Sequence, residues 1–110
     1  MRIVFGNRHE GKTLALIHMS SKTNSYMVVL SRNEAQRVFR LATNLGIDIH
    51  YPITFDEFIN GQYHSSGVSG FMIDNADMLL QAISRGVDVK AISVTDDVQE
   101  EQWYSSEAQP

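Results

Sequence analysis

The sequence predicts an α/β domain, a three-layer sandwich in which helices cover both faces of a mostly parallel, five-stranded sheet. Short apolar runs alternate with amphipathic segments along the 110 residues, which is typical of strand–helix–strand units. A glycine-rich loop also stands between the first apolar run and a helix-like segment. A chain of this length folds as one domain, for which we expect residues 1–99, followed by an acidic, disordered tail over residues 100–110.

The first part of the chain predicts two strands and a well-marked helix. Residues 2–6 form the first strand, and residues 26–30 form a continuous apolar run, as expected of a strand that is buried on both faces. Ser31 and Glu34 lie three residues apart and predict a capping box for the helix that follows. Gly46 ends that helix.

The middle of the chain predicts a weaker strand and a short helix. Residues 47–53 are predicted to be the third strand, but Pro52 cannot donate a backbone hydrogen bond and so places this strand at an edge of the sheet or lets it end there. Thr54 and Glu57 predict a second capping box, and Gly61 ends the helix that it opens.

The last part of the chain predicts two more strands with a helix between them. Residues 71–73 form the fourth strand, which ends at Asp74. The helix over residues 76–83 has apolar side chains at helical spacing and stops near Gly86. Residues 89–94 are predicted to be the fifth strand.

Residues 6–13 match the phosphate-binding pattern G-x-x-x-x-G-K-[ST]. In such a loop, backbone N–H groups converge on phosphate oxygens and the next helix points its positive N-terminus at them. Gly6 and Gly11 permit the close approach, Lys12 reaches the β and γ phosphates, and the Thr13 hydroxyl coordinates Mg²⁺. The predicted nucleotide-binding residues of the loop are Gly6, Asn7, Arg8, His9, Glu10, Gly11, Lys12 and Thr13.

Asp74 is the candidate for a second part of the same site. An acidic residue at the carboxyl end of a buried parallel strand is suited to face Mg²⁺ across the loop, and open α/β sheets bind ligands at that edge. The alternative is that Asp74 merely caps the helix that begins near Ala76.

These residues resemble the motifs of a known family. Residues 6–13 and Asp74 look like the Walker A and Walker B motifs of the P-loop NTPases, and residues 74–77 are similar to the DEAx or DEAD box of helicases. Residues 53–58 resemble the Thr-Phe segment of superfamily-one helicases, and residues 94–99 resemble their Gly-Asp-x-x-Gln motif. The resemblance implies a RecA-like fold that binds ATP, or GTP, with Mg²⁺. The chain also looks like short P-loop proteins encoded by bacteriophages.

The resemblance assigns roles to particular residues and also has departures. Lys12 and Asp74 would be the catalytic residues, and Gln99 would sense the γ-phosphate unless it belongs to the tail. The position of the helicase glutamate that activates water is Asn75, an amide that cannot act as a base. The helicase glycine is replaced by Thr95. Without a second domain or a partner to supply an arginine finger, hydrolysis is expected to be slow at best.

Composition limits the other possibilities. The chain has no cysteine, which excludes disulfides, thiolate catalysis and cysteine-bound zinc. A net charge of −4 argues against strong nucleic-acid binding, and no apolar run reaches membrane-spanning length, so a cytoplasmic location is expected. Any arginine finger would have to come from a second protomer or a partner. A non-catalytic protein-interaction module that keeps the fold is the alternative function, with Trp103 and Tyr104 either docking to a partner or packing back onto the domain.

Overall fold

The computed structural model describes residues 1–6, 10–94 and 99–102. Strands and helices alternate along these residues, as the sequence predicts. The elements in chain order are β1 (Arg2–Phe5), α1 (Glu10–Thr23), β2 (Tyr26–Val29), α2 (Arg32–Asn44), β3 (Ile53–Thr54), α3 (Phe55–Ile59), β4 (Phe71–Ile73), α4 (Ala76–Ile83) and β5 (Gln99–Gln102). Within the described ranges, no helix combines the length and hydrophobicity needed to cross a bilayer.

The strands form a parallel three-stranded sheet and a separate parallel pair. The sheet has the order β3-β2-β4, and its register sets Val28 opposite both Ile53 and Ile73. β1 pairs only with β5 among the described strands. The α/β class and the parallel direction are therefore confirmed, whereas the described strands do not form the single five-stranded sheet that the sequence predicts.

The fifth strand lies later in the chain than predicted. Residues 89–94 are not in a strand, and Val89, Ile92 and Val94 are exposed. Gln99–Gln102 form β5 instead, which carries regular structure into the segment expected to be a tail. An apolar run does not reveal whether it reaches the edge of a neighbouring strand. Conversely, β5 pairs with β1 although its sequence has no apolar pattern. Strand pairing uses backbone N–H and C=O groups, which do not depend on the side chain. Residues 103–110 lie outside the described residues.

The third strand is shorter than predicted. Only Ile53–Thr54 pair with β2, and residues 47–52 are in no strand. Pro52 directly precedes the pairing and has no N–H to give to it, which is a physical reason for the late start. β3 lies at an edge of its sheet, so the predicted edge position is confirmed, whereas the alternative that the strand ends at Pro52 is wrong.

Both predicted helix starts are present, but only one is a complete capping box. The Thr54 hydroxyl accepts from Glu57 N at 3.1 Å, and the Glu57 carboxylate accepts from Thr54 N at 2.8 Å. Ser31 Oγ accepts from Glu34 N at 3.2 Å, while the Glu34 carboxylate binds Arg37.

The core lies on both faces of β2. Successive strand side chains point to opposite faces, so Met27 and Val29 join one apolar cluster and Val28 joins the other. α1 and α2 cover the first face, whereas α3 and α4 contribute to the second. The first cluster consists of Ile17, Met27, Val29, Ala35, Val38 and Ala42. The second consists of Val28, Ile53, Phe55 and Leu79. Burial of β2 on both faces is confirmed.

We predict that Thr54→Ala lowers the free energy of unfolding by about 1 kcal/mol, because it removes the hydroxyl that caps α3. Thr43→Ala is the matched control, since its exposed hydroxyl only bonds back to the Phe39 carbonyl of the same helix, and we expect a change within about 0.5 kcal/mol. Urea unfolding of the three proteins measures both effects. Equal losses in the two variants would contradict the cap.

Candidate functional site

α1 directs Thr13 toward the interior of the protein. Thr13, Ile17 and Ser20 are separated by four and three residues, which places them on one face of a helix. All three are buried, with Thr13 only 6% exposed. Ile17 belongs to the apolar cluster under α1 and α2, so packing of this face holds the Thr13 hydroxyl inside the protein.

β4 delivers Asp74 to the same place. Asp74 directly follows the strand, and its backbone N–H donates to the Val28 carbonyl of β2 at 3.0 Å, which extends the strand pairing by one residue. Its carboxylate accepts a hydrogen bond from Thr13 Oγ1 at 2.9 Å, and Asp74 is 4% exposed. Two residues that are 61 positions apart in the chain therefore meet in a buried contact.

The structure tests one of the two interpretations of Asp74, that it caps α4. α4 begins at Ala76, its N-cap residue is Asn75, and no side chain makes a capping hydrogen bond there. The Asp74 carboxylate is directed to Thr13 and does not serve as the ordinary helix cap that the sequence left open.

Burial raises the pKa of the Asp74 carboxyl above its ordinary value, because the ionised form loses its hydration. The Thr13 hydroxyl opposes this by donating to the carboxylate. Nearby charges act in both directions: Glu34 raises the pKa, whereas Arg37 and Lys12 lower it. A cation at this carboxylate would lower the pKa further, because it stabilises the ionised form.

Glu34 and Arg37 are neighbours of the site that sequence reasoning missed. Arg37 Nε donates to Glu34 Oε1 at 2.9 Å, and Arg37 Nη2 donates to Glu34 Oε2 at 3.1 Å, which is a two-point contact on the first turns of α2. The capping-box pattern assigned the Glu34 carboxylate to the start of the helix, whereas it accepts from Arg37. The position of α2 in the chain could have predicted this neighbourhood, since α2 begins just after β2 and thus at the same sheet edge as Asp74.

Lys12 lies at the start of α1 and reaches back to Gly6. Its ammonium group donates to the Gly6 carbonyl at 3.3 Å, which is at the long end of the hydrogen-bond range. Gly11 and Glu10 are in the first turn of α1. Asn7, Arg8 and His9 lie outside the described residues.

Gln99 is not brought to this edge. It is the first residue of β5 and pairs with Arg2, whereas Phe5 and Gln102 pair at the carboxyl end of the two strands. With a rise of about 3.3 Å per residue, Gln99 lies roughly 10 Å from that end along the strand direction.

Asn75 adopts the left-handed backbone conformation, with φ 57° and ψ 59°. Asparagine tolerates this conformation better than most residues. The bend turns the chain from β4 into α4 directly after Asp74. Its side chain is an amide, so the position next to the buried carboxylate offers no second base.

The arrangement as a whole brings an ammonium group, a hydroxyl and a carboxylate to one edge of the sheet. The oxygen atoms of the hydroxyl and the carboxylate suit a hard cation such as Mg²⁺. Among the described residues, no three His, Asp or Glu side chains gather into a metal-binding group. Any such ion would therefore draw further ligands from water or from a bound molecule.

We predict that Asp74→Asn is more stable than the wild type near neutral pH. Because the folded-state pKa of Asp74 is raised from the reference value of 3.8, its contribution to stability is full below that value and is lost as the pH rises through the folded pKa. Asparagine can still accept from Thr13 but never ionises. Urea unfolding between pH 4 and 7 should show an advantage of the variant that shrinks as the pH falls.

Asp77→Asn is the control for this measurement, because it removes one negative charge from the exposed first turn of α4. A wild type that is more stable than Asp74→Asn at pH 7 would show that the ionised carboxylate stabilises the fold.

Comparison with known proteins gives no match to this chain. None was found among protein-family models, curated proteins or solved structures. The interpretation of the site therefore rests on its own geometry, of which the buried contact between Thr13 and Asp74 is the central part.

Proposed function

We propose that this chain binds a Mg-nucleoside triphosphate, ATP in preference to GTP, through the loop over residues 6–13 and Asp74. The buried hydrogen bond between Thr13 Oγ1 and Asp74 Oδ2 carries the proposal. The loop pattern requires a hydroxyl at its last position for Mg²⁺, and in this chain that hydroxyl touches the carboxylate best suited to be the second ligand.

Lys12 is suited to leave the Gly6 carbonyl and bind the phosphates of a nucleotide. Its 3.3 Å contact with the Gly6 carbonyl is long and exposed, so giving it up costs little. A triphosphate over the loop would offer charged oxygens, which make shorter and stronger hydrogen bonds with an ammonium group.

Thr13 and Asp74 fit the cation. Mg²⁺ in nucleotide sites is bound by one or two carboxylates together with phosphate oxygens, and it keeps several waters. One protein carboxylate and one hydroxyl therefore suffice once the phosphates are present. A bound ion would also stabilise the ionised carboxylate of Asp74, because the positive charge compensates for the hydration that the carboxylate loses on folding.

The finer fold that accompanies this function is a RecA-like sandwich, with β1 and β5 completing one sheet with the other three strands. All described strand pairs are parallel. The hydrogen bond from Thr13 to Asp74 supports the same arrangement, because it holds the helix after β1 against the end of β4.

Hydrolysis is expected to be slow at best. Asn75 occupies the position where a base is needed, and an amide cannot accept the proton of the attacking water. An arginine finger from a partner or a second protomer would add factors of about 10³ to 10⁵ in rate. The proposed role is accordingly nucleotide binding, with turnover dependent on another molecule.

Titration calorimetry with Mg-ATP and Mg-ADP tests the proposal. We expect binding to the wild type, and we expect Lys12→Ala and Thr13→Val to weaken it by at least about tenfold, since each removes a charge-assisted contact worth roughly 1.5–3 kcal/mol. Lys22→Ala, at the exposed far end of α1, should bind like the wild type. No heat of binding from a folded wild type would refute the proposal.

A specific observation favours a second candidate, a protein-interaction module of a phage or mobile element that keeps the fold without catalysis. Apolar side chains after α4 stand 39–71% exposed, and exposed apolar groups of this kind mark contact surfaces when they cluster. They are Val87, Val89, Ile92 and Val94. This candidate would be abandoned if the isolated protein hydrolysed ATP at about 10 s⁻¹, a typical enzyme rate, and Lys12→Ala abolished its biological effect.

A further inference from the structure

Arg37 places a positive charge at the sheet edge that carries Asp74. α2 begins just after β2, next to the strand that ends at Asp74. Helix side chains lean toward the N-terminus of their helix. Arg37 does so, because its guanidinium reaches back by three residues and donates to both carboxylate oxygens of Glu34, at 2.9 and 3.1 Å. The charged end of this side chain therefore lies at the first turn of α2, toward the candidate site.

The charges of Glu34 and Arg37 act on the candidate site. Arg37 and Lys12 lower the pKa of the Asp74 carboxyl, whereas Glu34 raises it. Interactions between charges weaken with distance and are screened by solvent, so these groups stand near the carboxylate. The side chains of Arg37 and Glu34 are 41% and 32% exposed. A ligand can therefore reach both of them from solvent.

We propose that Arg37 binds the γ-phosphate of the nucleotide and so makes the site distinguish ATP from ADP. The inference rests on the proposed function and adds recognition of the third phosphate to that same site. Gln99 is the residue to which the helicase resemblance gives this role, but it lies at the amino end of β5, away from the edge. Arg37 lies at the edge itself.

Asp74 stands between the start of α1 and the end of β2. Its carboxylate accepts from Thr13 of α1, and its backbone N–H donates to Val28 of β2. The loop precedes α1 and holds the phosphates that ATP and ADP share, whereas α2 follows β2. A phosphate chain that runs from the loop past Asp74 therefore approaches α2 with its last phosphate. In ATP that is the γ-phosphate, which ADP lacks.

The chemistry of the Glu34 and Arg37 pair suits an exchange of one anion for another. A guanidinium binds a phosphate with the same two-point geometry that it uses for a carboxylate. Glu34 and the γ-phosphate compete for Arg37, and the negative charge of Glu34 also repels the phosphate. The two residues thus act in opposite directions on the triphosphate. An ion pair that only stabilises the helix surface affects ATP and ADP alike.

The test compares Mg-ATP with Mg-ADP by titration calorimetry on the full chain. We expect the wild type to bind Mg-ATP more tightly, and we expect Arg37→Gln to lower the ratio of the two affinities about tenfold, since it removes a charge-assisted contact. Glu34→Gln should raise the same ratio about threefold, because it removes the competing carboxylate. Arg40→Gln is the matched control: it is exposed, lies farther along α2 and should leave the ratio unchanged.

The ratio separates recognition from folding, because inactive protein changes the results for both nucleotides alike. Arg37→Lys keeps the charge but loses the two-point geometry, so its ratio should fall between those of the wild type and Arg37→Gln. An equal ratio in the wild type and Arg37→Gln, or a shift in the same direction in Arg37→Gln and Glu34→Gln, would overturn the role of Arg37 while leaving the nucleotide site intact. If a folded wild type bound neither nucleotide, the proposed function would fail, and the role of Arg37 with it.

Discussion

Asp74 carries a carboxyl group that folding removes almost completely from water, and the rest of the site is arranged around it. A buried carboxylate has to be hydrogen-bonded, paired with a charge, or protonated. Here one hydroxyl donates to it, and the charges of Glu34 and Arg37 stand near enough to push its pKa in opposite directions. Desolvation together with the Glu34 charge outweighs the Thr13 hydroxyl and the positive charges, so the pKa of the carboxyl remains raised.

The fold meets this requirement through two independent elements. Packing of Ile17 against the first apolar cluster sets the rotation of α1 and thereby the direction of the Thr13 hydroxyl. The backbone bond from Asp74 to Val28 fixes the end of β4 against β2, the most deeply buried strand. Because neither partner depends on the other for its position, the contact between them is preorganised, and a ligand would not have to assemble it.

The sequence predicted the local elements well where capping residues and apolar period agreed. The start of α2 at Ser31 and of α3 at Thr54 followed from side chains that bind their own backbone, which is a local effect. The fifth strand was misplaced because pairing depends on a distant neighbour, and the apolar residues 89–94 carry no information about whether β1 or β4 lies within reach. The same limit applies to Glu34, whose place in the first turn of α2 was visible and whose position near Asp74 was not.

The site itself was predictable in part. The loop pattern and the strand ending at Asp74 pointed to one sheet edge, and the contact between Thr13 and Asp74 is present there. The raised pKa of Asp74 could not be predicted, because it depends on how much water the fold removes. The distance of Gln99 from the edge also depends on a register that no motif encodes.

The most direct measurement is a crystal structure with Mg²⁺ and a non-hydrolysable ATP analogue. We expect the hydrogen bond between Thr13 and Asp74 to give way to an ion about 2.1 Å from the Thr13 hydroxyl, with Asp74 facing that ion and Lys12 moved from the Gly6 carbonyl to the phosphates. An analogue bound elsewhere, with the 2.9 Å contact between Thr13 and Asp74 unchanged, would contradict it.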